Sequence, residues 1–436
     1  MNGCWMNLDL NLIVFSNMAI DGGELKLLIV TQYFWPETFR ITEVVQSLRD
    51  AGCDVTVLTG QPSYPDGVVP PGYSAASLCT QIHDGLTIYR VPLVPRDRGS
   101  ALRLALNYLS FIVSAALFGP WLLRGQRIDV IFVYAPSPIL QVIPAVWLKW
   151  IKGAKLVTWV QDLWPESLAA TGYVRNPRVL RAVEWVVRWI YRHTDLLLVQ
   201  SRAFEASVAA LSPGKPIAYY PNSVDARFAK PPSTDVDLPE VPALDEGFAV
   251  VFAGNVGAGQ AVEVMVEAAA LLKDVPQIRF VVFGQGSRWD WMHEQVQSRG
   301  LTNLHLPGRF PAIMMPGLMQ KAGALLVTLA DEPIFALTVP NKVQAYMAAG
   351  RPILACLNGE GARLVEEAQA GLSVPAQDAK ALAAAVLQLY RMSPEERAQL
   401  GANGRRYFKA HFDHDKLVDE LMAHLRGMSK IVKETV

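Results

Sequence analysis

The stretch Phe248-Ala-Val-Val-Phe-Ala-Gly-Asn-Val-Gly-Ala-Gly-Gln260 decides how the chain is built. Its six leading apolar residues read as a strand buried on both faces. The glycine-rich turn then runs into an apolar helical pattern over 261–272. A strand buried on both sides belongs to a parallel sheet covered by helices. Free backbone N–H groups at such a helix start suit an anion, above all phosphate, and Gly254, Gly257 and Gly259 let the backbone approach it closely. Tight strand-to-helix turns also use glycine without any ligand. Ile278-Arg-Phe-Val-Val-Phe-Gly-Gln-Gly286 repeats the arrangement, with Gly284 and Gly286 in the turn.

The same alternation extends in both directions. Apolar runs predict strands at 25–30, 54–58, 86–91, 129–134, 154–160 and 195–199, with helices at 37–49, 139–151, 178–191 and 203–211. The second half predicts strands at 248–252, 278–283, 303–306, 324–328 and 352–355, and helices at 261–272, 316–321, 341–348 and 379–390. Between the halves, Pro221, Pro231, Pro232, Pro239 and Pro242 mark a linker. The expected organisation is a disordered extension over 1–24, a domain over 25–220, a linker over 221–244 and a second domain over 245–412. A C-terminal helix and tail over 413–436 is free to cross back to the first domain. The fold class is α/β: two facing Rossmann-like, doubly wound domains, with ligands expected at the carboxyl ends of the strands, in the cleft between them.

Composition narrows the function. The 436 residues are 51% hydrophobic and 18% charged, with mean hydropathy +0.20, which excludes a disordered or fibrous chain. Forty Lys and Arg balance forty Asp and Glu, which excludes a generally basic nucleic-acid binder. The balance is local, however. From Ile88 to Lys215 there are 16 basic against 7 acidic residues, and seven of the 11 Trp lie between Trp121 and Trp189. A basic, Trp-rich segment suggests a membrane surface; a large aromatic core is the plainer alternative. Residues 101–123 are long enough to span a bilayer, but they fall between two strands of one sheet. They read as a helix lying against the interface, with a buried crossover helix as the alternative. Four scattered cysteines form no CxxC, and His411 and His414 around Asp413 read as a helix start, so no metal site and a reduced compartment are expected.

Two further segments carry candidate chemistry. In Thr338-Val-Pro-Asn-Lys342, Thr338 is positioned to cap a helix, with Pro340 in its first turn. Lys342 then opposes the helix dipole and calls for an anion, unless it is simply solvated. In Val160-Gln-Asp-Leu-Trp-Pro-Glu166, Asp162 and Glu166 stand at a strand's carboxyl end, placed to bind sugar hydroxyls or move protons, or else to cap a helix.

Taken together, these segments resemble a known family. TQYFWPETFRI (31–41), VTVLTGQPSYPDG (55–67), WVQDLWPES (159–167), FAGNVGAGQ (252–260), LPGRFP (306–311) and VPNKVQAYMAAGRPILACLNGEGA (339–362) are similar to the retaining family 4 glycosyltransferases of the GT-B fold. The nearest likeness is to the WbuB-like branch of surface-polysaccharide amino-sugar transferases. The resemblance implies a second domain that binds a UDP-sugar through Asn255, Gly257, Gln260, Gly284, Gly286, Arg309, Lys342, Glu360 and Gly361. It implies catalytic work for Asp162 and Glu166 and acceptor-side roles for Glu37 and Arg40, with no metal or other cofactor. It further implies transfer of an N-acetylated amino sugar, such as N-acetyl-fucosamine, to a polyprenyl-diphosphate-linked acceptor on the cytoplasmic face of the inner membrane. The family's usual Arg and Lys in the first glycine turn are Asn255 and Gln260 here, and its paired glutamates are Leu337 and Ala345. A nucleotide-sugar epimerase of the same fold and a non-catalytic scaffold derived from a transferase are the competing readings.

Overall fold

The computed structural model describes residues 24–434, apart from 66, 97–100, 171–173, 175, 225–227 and 229–235. The expected N-terminal extension and much of the linker lie outside the described residues. The first sheet has eight strands in the order β3-β4-β2-β1-β5-β6-β7-β8: β1 Leu25–Val30, β2 Cys53–Gly60, β3 Cys79–His83, β4 Leu86–Val91, β5 Val130–Ala135, β6 Lys155–Val160, β7 Leu196–Val199 and β8 Ile217–Tyr219. Only β3 runs antiparallel, against β4. The second sheet has six strands in the order β11-β10-β9-β12-β13-β14: β9 Phe248–Ala253, β10 Ile278–Phe283, β11 Leu304–Gly308, β12 Ala324–Thr328, β13 Ile353–Cys356 and β14 Gly371–Val374. These are the two doubly wound domains expected from the apolar runs.

Side-chain alternation makes the sheets. Leu28 and Val30 of β1 enter one core layer while Leu27 and Ile29 enter the layer on the opposite face. In β9, Ala249, Val251 and Ala253 face one layer and Phe248, Val250 and Phe252 the other. The strand order reverses at β1/β5 in the first sheet and at β9/β12 in the second. Each reversal opens a crevice at the strands' carboxyl ends.

Several elements depart from the sequence expectations. The edge strands β3, β8 and β14 do not stand out in the sequence, because their side chains are half-buried or exposed and their apolar runs are short or interrupted. The helices Trp289–Arg299, Glu360–Glu367 and Pro394–His411 were also missed. The last carries a legible signal, a capping box in which Ser393 and Glu396 satisfy each other's backbone amides. Thr338 does not cap the next helix. Its hydroxyl donates to the Ile334 carbonyl, and Pro340, in extended geometry, precedes the first helical residue, Asn341.

The final helix, His414–Glu434, places Leu417, Val418, Leu421, Met422 and Leu425 in the first domain's core layer, against β5, β6 and the Arg40–Asp50 helix. His414 fixes its start: one ring nitrogen lies 2.7 Å from Ser47 Oγ and the other 3.1 Å from Ser223 Oγ. The domains also meet at segment 333–341. Ile334 packs into the first domain's core, Ser201 donates to the Leu337 carbonyl at 2.6 Å, and Asn222 donates to Asn341 at 3.1 Å.

The Ala101–Leu122 helix crosses from β4 to β5 but is not buried as a crossover helix. Phe111 and Ala115 face the core, whereas Leu102, Leu106, Leu109, Val113 and Leu117 face outward. The clustered tryptophans divide similarly. Trp159 and Trp164 are core residues, while Trp121, Trp147, Trp150 and Trp185 are exposed.

Candidate active site

The glycine turns of β9 and β10 lie against each other. A Cβ on Gly284 would sit 1.8 Å from the Gly254 carbonyl oxygen, and one on Gly286 would sit 2.3 Å from that of Val256. Gly284 also has φ +151°, so both space and backbone require glycine there. Asn255 donates to Gln260 at 3.0 Å, closing the first turn with a pair of neutral amides. Gly257 packs against both of those side chains. A cavity of about 460 Å³ opens beside the turns, lined by Gly254, Asn255, Gly284, Gln285, Arg309 and Phe310 among others.

Lys342 reaches this point from the second residue of the Asn341–Ala349 helix. Its Nζ lies 3.6 Å from the centroid of the Phe252 ring, and a Cβ on Gly254 would come within 3.0 Å of it. The ammonium is enclosed and has no hydrogen-bond partner. Burial pulls its pKa down to about 7, and an anion beside it would raise it again. Glu360 begins the neighbouring Glu360–Glu367 helix, next to Gly361, and is held by Arg363 through two contacts of 2.8 and 2.7 Å. Its carboxylate is therefore already engaged.

On the first domain, Asp162 follows β6. Burial pushes its carboxyl up to about 6, against hydrogen bonds from Ser167, Trp164, the Leu163 amide and Ser137 that pull it down. A crevice of about 410 Å³ opens beside it. Glu166 is exposed at the start of the short Glu166–Ala170 helix, outside the lining of that crevice. Glu37 accepts from the Ser63 and Tyr64 amides at 2.9 and 2.7 Å and so fixes the loop after β2, while Arg40 pairs with Glu43 at 3.0 Å. The structure thus gathers Asn255, Gly257, Gln260, Gly284, Gly286 and Lys342 at one switch point, with Arg309 on the rim of the same cavity. Asp162 stands at the carboxyl end of the other sheet. Among the described residues, no group of three or more His, Cys, Asp or Glu is placed to hold a metal ion.

Each domain matches a family of its own. Residues 38–223 match "Glycosyl transferase 4-like domain" and residues 247–392 match "Glycosyl transferases group 1". The chain is a glycosyltransferase. The glycosyltransferase is 27% identical over 300 residues to WbjE of Pseudomonas aeruginosa, named as a glycosyltransferase, covering 68% of this chain and 73% of WbjE. It is 28% identical over 326 residues to WcaI of Escherichia coli K12, named as a colanic acid biosynthesis glycosyl transferase, covering 71% and 76%. Among solved structures, Anabaena HepE in complex with UDP aligns with TM-score 0.64 at 15% identity, over 93% of this chain and 100% of HepE. That likeness, with the two doubly wound sheets, establishes the GT-B fold.

Proposed function

We propose that this glycosyltransferase moves a sugar, with retention at the anomeric carbon, from a UDP-sugar to a polyprenyl-diphosphate-linked acceptor in surface polysaccharide synthesis. In this reading the sugar is an N-acetylated amino sugar such as N-acetyl-fucosamine, and the enzyme belongs to the WbuB-like branch. The observation that carries the reading is the enclosed, unpartnered ammonium of Lys342 beneath the glycine turns. A leaving nucleoside diphosphate gains charge in the transition state, and a fixed cation with helix-end N–H groups stabilises that charge. Lys342 does the work of the basic pair that Asn255 and Gln260 do not supply. Asp162 faces the acceptor side, where its carboxylate orients or deprotonates a sugar hydroxyl. The relation to WcaI, named for colanic acid biosynthesis, and the UDP bound to HepE support the substrate class.

The enzyme works, in the same proposal, peripherally on the cytoplasmic face of the inner membrane. The helices Ala101–Leu122, Ile143–Lys152 and Pro177–His193 expose Leu117 at 67% and Trp185 at 68%, together with Trp121, Trp147 and Trp150. Arg124 stacks on Trp121 at 4.8 Å, and Arg103, Arg178 and Arg181 lie on the same helices. An apolar, aromatic face bearing cations fits an anionic bilayer surface.

One assay tests the reaction: labelled donor with membrane lipid extract. Label in the lipid fraction supports the proposal. Conversion of the donor without transfer supports an epimerase, and neither product supports a scaffold.

A further inference from the structure

We propose that the crevice between the Ala101–Leu122 and Pro177–His193 helices holds the hydrocarbon chain of the acceptor and guides it from the bilayer to Asp162. This inference rests on the lipid-linked reading above and assigns that substrate's apolar part to a place in the fold. The crevice, of about 410 Å³, is lined by Leu104, Leu109, Leu140, Leu168 and Val183, with Tyr108 beside them. Among the described residues, Asp162 is its only charged lining residue.

The polar lining groups are already used. The side chains of Ser137, Trp164 and Ser167 are turned to the Asp162 carboxylate, so the remaining wall is mostly hydrocarbon. A wall of that kind offers a sugar few hydrogen bonds, whereas an apolar chain gains from leaving water. The crevice is also continuous with the outer face. Leu109 lines it and is 53% exposed, in the same helical stripe as Leu102, Leu106, Val113 and Leu117. A chain drawn from a bilayer lying on that stripe would enter past Leu109 and end with its diphosphate and sugar near the carboxyl end of β6. The lipid would thus not need to leave the apolar phase for its head group to reach the cleft.

The test compares acceptors that carry the same head group on one, three or more isoprene units. Transfer by the unmodified enzyme, in detergent below the level that perturbs its activity, should improve at least tenfold in kcat/KM from one unit to three. Val183→Trp and Leu168→Trp, each of which enlarges a lining side chain, should abolish that gain. Transfer to the one-unit acceptor, UDP affinity and liposome flotation should remain at parental levels. Either variant that melts like the parent suffices, and Val183→Ile should behave as the parent does. Chain-length dependence retained in a folded, crevice-filled variant would overturn the proposal while leaving the lipid-linked acceptor standing. Equal kcat/KM for all chain lengths in the parent would do the same. No transfer to any lipid-linked acceptor would overturn the acceptor reading itself.

Discussion

Lys342 Nζ lies 3.6 Å from the centroid of the Phe252 ring, against the face of Gly254 that lacks a Cβ, and no hydrogen-bond acceptor reaches it. The cation is thus held by a ring quadrupole alone, in a place where its charge is costly. Charge-assisted contacts are worth ~1.5–3 kcal/mol each, so Lys342→Met should weaken UDP binding about tenfold to a hundredfold by calorimetry. Transfer should fall further, because the leaving group gains charge in the transition state.

The same burial has a pH signature. The folded pKa of Lys342 is about 7 and its ordinary value is 10.5, so between these pH values the unfolded chain holds the extra proton. The Lys342 contribution to stability therefore rises with pH across that window. Urea unfolding of parent and Lys342→Met at pH 6.5, 8 and 9.5 should show the variant more stable at the lowest pH and the difference shrinking as pH rises. UDP binding at pH 8 should take up protons in the parent and fewer in the variant.

Asp162→Asn keeps the shape and removes the charge. Transfer should drop by two orders of magnitude or more, the usual scale for a general acid–base group, with UDP affinity unchanged. The parent's transfer rate should lose activity as pH falls through about 6. A raised carboxyl pKa means stability is lost as pH rises from the ordinary 3.8 through that value, so the Asn variant should be at least as stable as the parent at pH 7. Parental transfer by this variant would reduce Asp162 to a helix-start residue.

Gly284→Ala places a methyl group 1.8 Å from the Gly254 carbonyl oxygen at a left-handed φ. The two glycine turns must then separate, and nucleotide binding should be lost with them. A variant that folds and binds UDP with parental affinity would place the phosphate elsewhere in the cavity.

His414→Ala removes the ring that joins Ser47 of the first domain to Ser223 at the start of the linker. Two hydrogen bonds of about 1 kcal/mol each are lost, and the urea midpoint of the first domain should fall. His414→Gln, which keeps one of the two contacts, should recover part of the loss.

Leu117→Glu with Trp185→Glu adds charge to two outward-facing positions that touch no core. Flotation with anionic liposomes should disappear while thermal unfolding is unchanged. Persistence of flotation would move the contact surface away from these helices; parental protein that never floats would remove membrane contact altogether.

Much of the fold is legible in single segments. Phe248–Ala253 has no polar side chain and Leu25–Val30 only Lys26 near its start, so both read as central strands covered twice, and their alternation with helices then fixes parallel order. The edges are not legible. Cys79–His83 pairs on one side only, and its half-exposed side chains carry no apolar pattern.

The candidate site divides in the same way. The glycine turns, Lys342 and Asp162 stand out by sequence because their types are unusual where they occur: glycine where backbones touch, a cation at a helix's positive end, a carboxylate after an apolar strand. What each does depends on neighbours distant in the chain. Glu37 is taken up by the amides of Ser63 and Tyr64, and Glu360 by Arg363. Two apparently equivalent turn residues, Asn255 and Gln260, spend their amides on each other. The outward-facing apolar stripe and the crevice behind it exist only once three helices from separate parts of the sequence lie side by side. Periodicity gives a helix an apolar face, but only packing decides which part of that face the core covers. The remainder stays outward because the Ala101–Leu122 and Ile143–Lys152 helices carry apolar side chains almost all round, while the core covers only one side of each.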